Sequence, residues 1–189
     1  MTRNRAIELD NDLKEHLQNC AKEYDVDEAV GIYIVDHFVE FIPEDSMKGV
    51  LFLGDNPASY KIGNVRIDLK KALVNAIEYA ASISKPESVF NVIQLLLVSV
   101  LFLGRTVKQE IDSLKAYIVY FLHTGDIYRR GIEEERFILE FQKWYQSKRG
   151  KTAERGEIMD AIEHLCTIKV MNIEDGNIFL VERVWGEME

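Results

Sequence analysis

Residues 89–103 read VFNVIQLLLVSVLFL, a run interrupted only by Asn91, Gln94 and Ser99. A helix with apolar side chains around its whole circumference has to be buried on every side. Pro86 suits a first helical turn, Glu87 follows it near the positive end of the helix dipole, and Gly104 can close the far end. A buried central helix over 86–104 is therefore expected. At 1.5 Å per residue the apolar run reaches roughly 22 Å, short of the roughly 30 Å hydrocarbon core of a bilayer. It also carries side-chain amides, so it reads as the core of a folded chain and not as a membrane span.

The flanking segments are arranged to cover that helix. On its N-terminal side, Asp68 is placed to cap a helix, LKKALVNAIEYAASI, with Leu69, Ala72, Leu73, Ala76, Ile77 and Ala80 on one face. Its alanines permit close approach to the central helix across the SKP break. Residues 43–67 are the least regular part. PEDSMKG reads as a loop, VLFLG as a short buried strand, DNPAS as a turn, and YKIGNVRI as a second extended segment. GDNPAS lacks the glycine spacing and the Gly-Lys-Ser/Thr ending of a phosphate loop.

Composition narrows the function classes. The chain has 189 residues, 47% hydrophobic and 10% aromatic, enough to bury a substantial core. It carries 23 basic against 32 acidic residues, a net charge of −9 that opposes non-specific binding to phosphate. Cys20 and Cys166 form no CxxC or Cys/His ligand cluster and read as reduced, buried thiols, which suggests a reducing compartment. MTRNRAIELDND has no apolar signal-peptide core, so a cytoplasmic location is expected.

The first forty residues read as a short strand, Arg5 to Leu9, then a helix capped by Asp10 with Leu13, Leu17, Cys20, Ala21 and Tyr24 at helical spacing. A second helix runs from its cap Asp27 to Ile42. RAIELDNDLKEHLQNCAKEYDVDEAVGIYIVDHFVEF resembles the ribbon-helix-helix family, in which strands pair across a dimer and read the DNA major groove. The outward strand positions here are Asn4, Ala6 and Glu8 where that family usually has basic or polar residues, and Asp27 would repel phosphate. The resemblance thus points to dimerisation more than to DNA reading. An ordinary helical hairpin accounts for the same spacing.

The last eighty residues give the most specific pattern. Ile111, Leu114, Ile118, Phe121 and Leu122 mark an amphipathic helix ended by Gly125, and Arg129, Arg130 and Gly131 a loop. A second helix follows, starting at Glu133, Glu134 and Glu135 and carrying Phe137, Ile138, Phe141, Trp144 and Tyr145. After the turn SKRGKT, Thr152 is expected to cap a third helix with Ile158, Ala161, Ile162 and Leu165 inward. TIKVMNI and IFLVERVW then flank Asp175-Gly176, a strong hairpin signal. AIEHLCTIKVMNIEDGNIFLVERV is similar to the end of many winged-helix domains, and the resemblance extends over roughly Val107 to Trp185. It implies a recognition helix over Ala153 to Leu165 and a phosphate-contacting turn at Lys148, Arg149 and Lys151.

Two readings of that surface compete. Lys143, Lys148, Arg149, Lys151 and Arg155 form a basic cluster suited to a few phosphate contacts. The outward face of the third helix instead carries Glu154, Glu157, Asp160 and Glu163, compensated only by Arg155 and His164, and the wing tip is Glu174-Asp175. The first reading is a winged-helix binding or regulatory module that contacts DNA weakly as a homodimer. The second is a protein-assembly module using the acidic surface on a basic partner.

Catalytic and metal constellations are sparse. His16, His37, His123 and His164 are dispersed; His16 with Cys20 has helical spacing but no orienting group, and His37 with Asp36 and Glu40 lacks a second ligand cluster. Trp144 and Tyr145 read as core. No enzymatic activity, cofactor, metal or membrane contact is expected. The fold expected is mainly α with a small β component: a helical region over 1–104 and a winged-helix-like domain over 105–189 with a β-hairpin wing.

Overall fold

The computed structural model describes residues 1–43, 63–82, 88–104 and 111–188. The PEDSMKG loop after Pro43, the VLFLG strand, the DNPAS turn, Tyr60 to Ile62 of the second extended segment, Pro86 and Glu87 at the head of the central helix, and Val107 lie outside the described residues. Of those described, 65% are helical, and the strands form two small antiparallel sheets. The protein is mainly α with a small β component.

The chain opens with α1 (Arg3–Glu23) and α2 (Glu28–Phe38). The strand expected at Arg5 to Leu9 is instead the start of α1. The buried stripe Leu9, Leu13, Leu17 extends back to Ala6 at helical spacing, and Thr2 caps the end by accepting from the Arg5 N–H at 3.2 Å. Asp10 is not the cap; it pairs with Lys14 one turn on, at 2.7 Å. The ribbon on which the ribbon-helix-helix resemblance depends is therefore helical at these residues. Asp27 caps α2 as expected, accepting from the Ala29 N–H at 2.8 Å. That helix stops at Phe38, short of the expected Ile42, because the next residues become β1 (Val39–Phe41) and pair with β2 (Val65–Ile67).

After β2 come α3 (Leu69–Ser82) and α4 (Ser88–Leu103). The central helix is buried on all sides as its sequence dictates: of its side chains only Ser88, Asn91 and Phe102 are more than slightly exposed. Its two buried polar groups are satisfied. Gln94 donates to the Ile111 carbonyl at 2.8 Å and Ser99 to the Leu96 carbonyl at 2.6 Å. The Gln94 bond also anchors the entry to the next helix, α5 (Ser113–Thr124), capped by Asp112.

The remaining elements are β3 (Ile132–Glu133), α6 (Glu134–Arg149), α7 (Arg155–Thr167), β4 (Met171–Glu174), β5 (Asn177–Leu180) and β6 (Val184–Gly186). β3, absent from the sequence reading, pairs with β5, and β5 with β4, so that one sheet has the order β3-β5-β4. The hairpin forms at Asp175-Gly176, both at positive φ, with Glu174 opposite Asn177. Its second strand ends at Leu180, earlier than expected. Trp185 belongs instead to β6, which leaves the hairpin and pairs with β2 to complete a sheet of order β1-β2-β6. The buried apolar residues from α1 through β6 form one cluster, so the segment expected as a C-terminal unit shares its core and a sheet with the N-terminal region.

Candidate functional site

The candidate surface is built where α6 hands over to α7. Phe137, Ile138 and Phe141 bury the inner face of α6, and Gly150 closes it in the left-handed conformation at φ 66°. This places Lys148 and Arg149 in the last turn, at the negative end of the helix dipole. Ala153 is buried, and its carbonyl accepts from Gln142 at 2.9 Å, which fixes the turn. The N-cap of α7 is therefore Glu154, in place of the expected Thr152; the Glu157 carboxylate accepts from the Glu154 N–H at 2.9 Å.

Ile158, Ala161, Ile162 and Leu165 turn α7 inward, so Glu154, Glu157, Asp160 and Glu163 are all exposed on its outer side. The two groups that could compensate them do not. Arg155 is held by Glu135 at the start of α6: its terminal nitrogens donate to both carboxylate oxygens, one at 2.7 Å. That hydrogen bond holds the Glu135 carboxyl below its ordinary range and raises the Arg155 guanidinium further. Burial, followed by the nearby Lys115 charge, pushes the His164 pKa down, which favours the neutral ring. Its Nε2 is buried with no hydrogen-bond partner among the described residues. The outer face of α7 thus presents four carboxyl groups that form no ion pair among the described residues. Glu174 and Asp175 at the hairpin tip are exposed and add to them.

The basic cluster is divided. The Arg149 guanidinium lies 5.4 Å from the Tyr117 ring centroid. Lys143, Lys148 and Lys151 are exposed and form no ion pair among the described residues. Of the five basic residues singled out in the sequence, these three are thus presented to solvent without a carboxylate partner, while Arg155 is neutralised.

The other groups weighed in the sequence have structural partners. Cys20 Sγ lies 3.8 Å from His16 Nε2, but burial pushes its thiol pKa up, away from a thiolate. Asp36 pairs with Lys14 at 2.6 Å, Glu40 pairs with Arg66, and His37 stacks on Tyr33. Among the described residues no group of His, Cys, Asp and Glu is placed to hold a metal ion. Trp144 and Tyr145 join an aromatic cluster with Tyr117 and Phe141.

Two polar clusters were not singled out in the sequence. Lys115, almost buried, folds its amine back onto Asp112 at the start of α5. Lys70 Nζ sits 4.3 Å over the Tyr128 ring and 3.3 Å from Glu182, with the Tyr128 hydroxyl 2.5 Å from His123 Nδ1. The members of this second cluster are brought together from three separate parts of the chain, which no local spacing reveals. Comparison of the chain with protein-family models, curated proteins and solved structures returns no match. No helix among the described residues is long and apolar enough to cross a membrane.

Proposed function

We propose that residues 111–180 form a winged-helix-type binding module whose third helix, α7, receives a basic segment of a protein partner. The module reading is supported by the element order α5-β3-α6-α7-β4-β5 and by the strand order β3-β5-β4, which puts the last strand in the middle and the hairpin at one side. The observation that carries the choice of partner is the pairing of Arg155 with Glu135. It removes the strongest cation from the α7 face and leaves Glu154, Glu157, Asp160 and Glu163 facing outward. A major groove lined by phosphates would repel that face, whereas a Lys- or Arg-rich surface would be steered toward it.

A second reading, DNA contact through the α6–α7 turn, is favoured by Lys143, Lys148 and Lys151, which are exposed and form no ion pair among the described residues. Pairing of two modules would let weak contacts of either kind add. Fluorescence anisotropy separates the readings, using a labelled Lys/Arg-rich peptide and a labelled duplex at low and near-physiological salt. Salt-sensitive peptide binding, lost in the combined variant Glu154→Gln, Glu157→Gln, Asp160→Asn, Glu163→Gln, is the expected result. Duplex binding lost instead in Lys148→Glu with Lys151→Glu would replace this conclusion with the second reading. Light scattering on the same samples reports whether the modules pair.

A further inference from the structure

Far from α7 in sequence, residues of α2 and α3, with Val92 of the central helix, line an open groove of about 510 Å³, within the range of sites for small organic ligands. Its floor is apolar: Ile34 and Phe38 from α2, Ala76 from α3 and Val92 from α4. Its walls carry two tyrosines, Tyr33 and Tyr79, 45% and 36% exposed, which is high for aromatic residues beside a core. Among the described residues, the charged members of the lining are Asp27 and Glu78, both acidic, with no lysine, arginine or histidine beside them.

The two carboxylates lie toward the same mouth. The Asp68 N–H donates to the Phe38 carbonyl at 2.9 Å, joining the end of α2 to the start of α3. One to two turns further along, the Tyr33 hydroxyl reaches Asn75 at 3.4 Å. The helices therefore run antiparallel, and continuing along them brings Asp27, at the head of α2, to the end that holds Glu78. At the other end Lys71 reaches over the Phe38 ring, 6.0 Å from its centroid, from outside the lining. As built by the described residues, the groove thus has an apolar floor, aromatic walls, a negative mouth and a positive charge beyond its far end.

We infer that the α2–α3 groove is a binding site for an organic cation with an apolar body, whose ammonium group lies at the Asp27–Glu78 mouth. The apolar body covers the floor. The cationic head is drawn by the carboxylates, by the Tyr79 ring and by the face of Tyr33 that His37 leaves uncovered, and Lys71 disfavours the reversed orientation. Neutral molecules of the same shape gain only the floor, and anions are repelled.

Isothermal titration calorimetry on the full chain tests this with decyltrimethylammonium and decyl maltoside, each below its micellar concentration. The cation is expected to bind at least about tenfold more tightly than the neutral probe, the difference shrinking as salt is raised. Glu78→Gln should weaken cation binding by about two- to fivefold with little effect on the neutral probe. Ala29→Trp, at an exposed lining position, should fill the groove and abolish binding of both. If that variant does not fold, Tyr79→Leu carries the same expectation for the cation alone, since it keeps an apolar wall and removes the ring. Equal binding of the two probes, undiminished binding in Ala29→Trp, or no heat from the wild-type protein with either probe would overturn the inference.

Discussion

Gly131 shows how one residue sets a local geometry. It holds φ at 63°, and a Cβ added there would meet the Phe179 ring at 2.6 Å, while its backbone leads directly into β3. Gly131→Ala combines a strained backbone with a collision and should cost about 1–3 kcal/mol, read as a lower urea midpoint with an unchanged slope. Two histidines give the protein a pH response at the same scale. Burial lowers the pKa of His123, which faces Lys70 and Asp126, and of His164, which faces Lys115 and Asp112, each from an ordinary value of 6.5. The unfolded chain then binds more protons than the folded one as pH falls below about 6.5, so the stabilising contribution is complete above that value and is lost as pH drops through the folded values. The melting temperature should therefore fall between pH 7.5 and pH 5.5 on the order of a few degrees, and His123→Gln with His164→Gln should flatten that slope. A slope unchanged in the double variant would assign it to the carboxylates.

At the scale of elements, the central helix is the case in which composition alone determines placement. Leu97 on α4 is fully buried, while Ile7 on α1 is 55% exposed. Leu97→Ala should cost about 2–5 kcal/mol and Ile7→Ala less than about 0.5 kcal/mol, measured by chemical denaturation. Elements with one strong signal were legible in the sequence: α3, α6 and the inward face of α7 from their period, α4 from its unbroken apolar run, and the hairpin from Asp175-Gly176. Where two patterns overlap, the longer-range one prevails. Arg5 to Leu9 reads as a short extended segment if Asp10 is taken as the cap, yet Ala6 and Leu9 continue a helical stripe from Leu17, and a cap was available at Thr2. Val39 to Phe41 continues the stripe of α2 but finds a strand partner in β2, which only tertiary structure supplies. The candidate site was legible to the same degree. The exposed carboxylates of α7 follow from its period, whereas the Glu135 partner of Arg155 lies twenty positions away on another helix and leaves no mark in local spacing.

At the scale of the molecule, residues 184–188 join the two regions. Residues of β2 pair with β6, Val65 opposite Gly186 and Ile67 opposite Val184, and the Asn64 side chain extends the ladder by accepting from the Met188 N–H at 2.8 Å and donating to the Met188 carbonyl. Gly63 lies so close to Gly186 that no side chain fits between them. Beside these contacts the Lys70 N–H donates to the Glu182 carbonyl at 3.0 Å, and Arg183 lies 3.7 Å from Asp68. The chain that carries α7 is thus fastened to the sheet leading into α3, and the two regions share one core. They should unfold together. The two tryptophans report on different places, Trp144 in the aromatic cluster on α6 and Trp185 on β6, so Trp185→Phe and Trp144→Phe give single-probe proteins. Their fluorescence transitions in urea should coincide with each other and with circular dichroism. Asn64→Ala leaves the Met188 backbone groups without their side-chain partner and should cost about 1–3 kcal/mol. In a single cooperative unit that loss moves both midpoints equally, although the substitution touches only the terminal sheet. A shift confined to the Trp185 signal would instead show that the binding module holds together independently of the region to which it is attached.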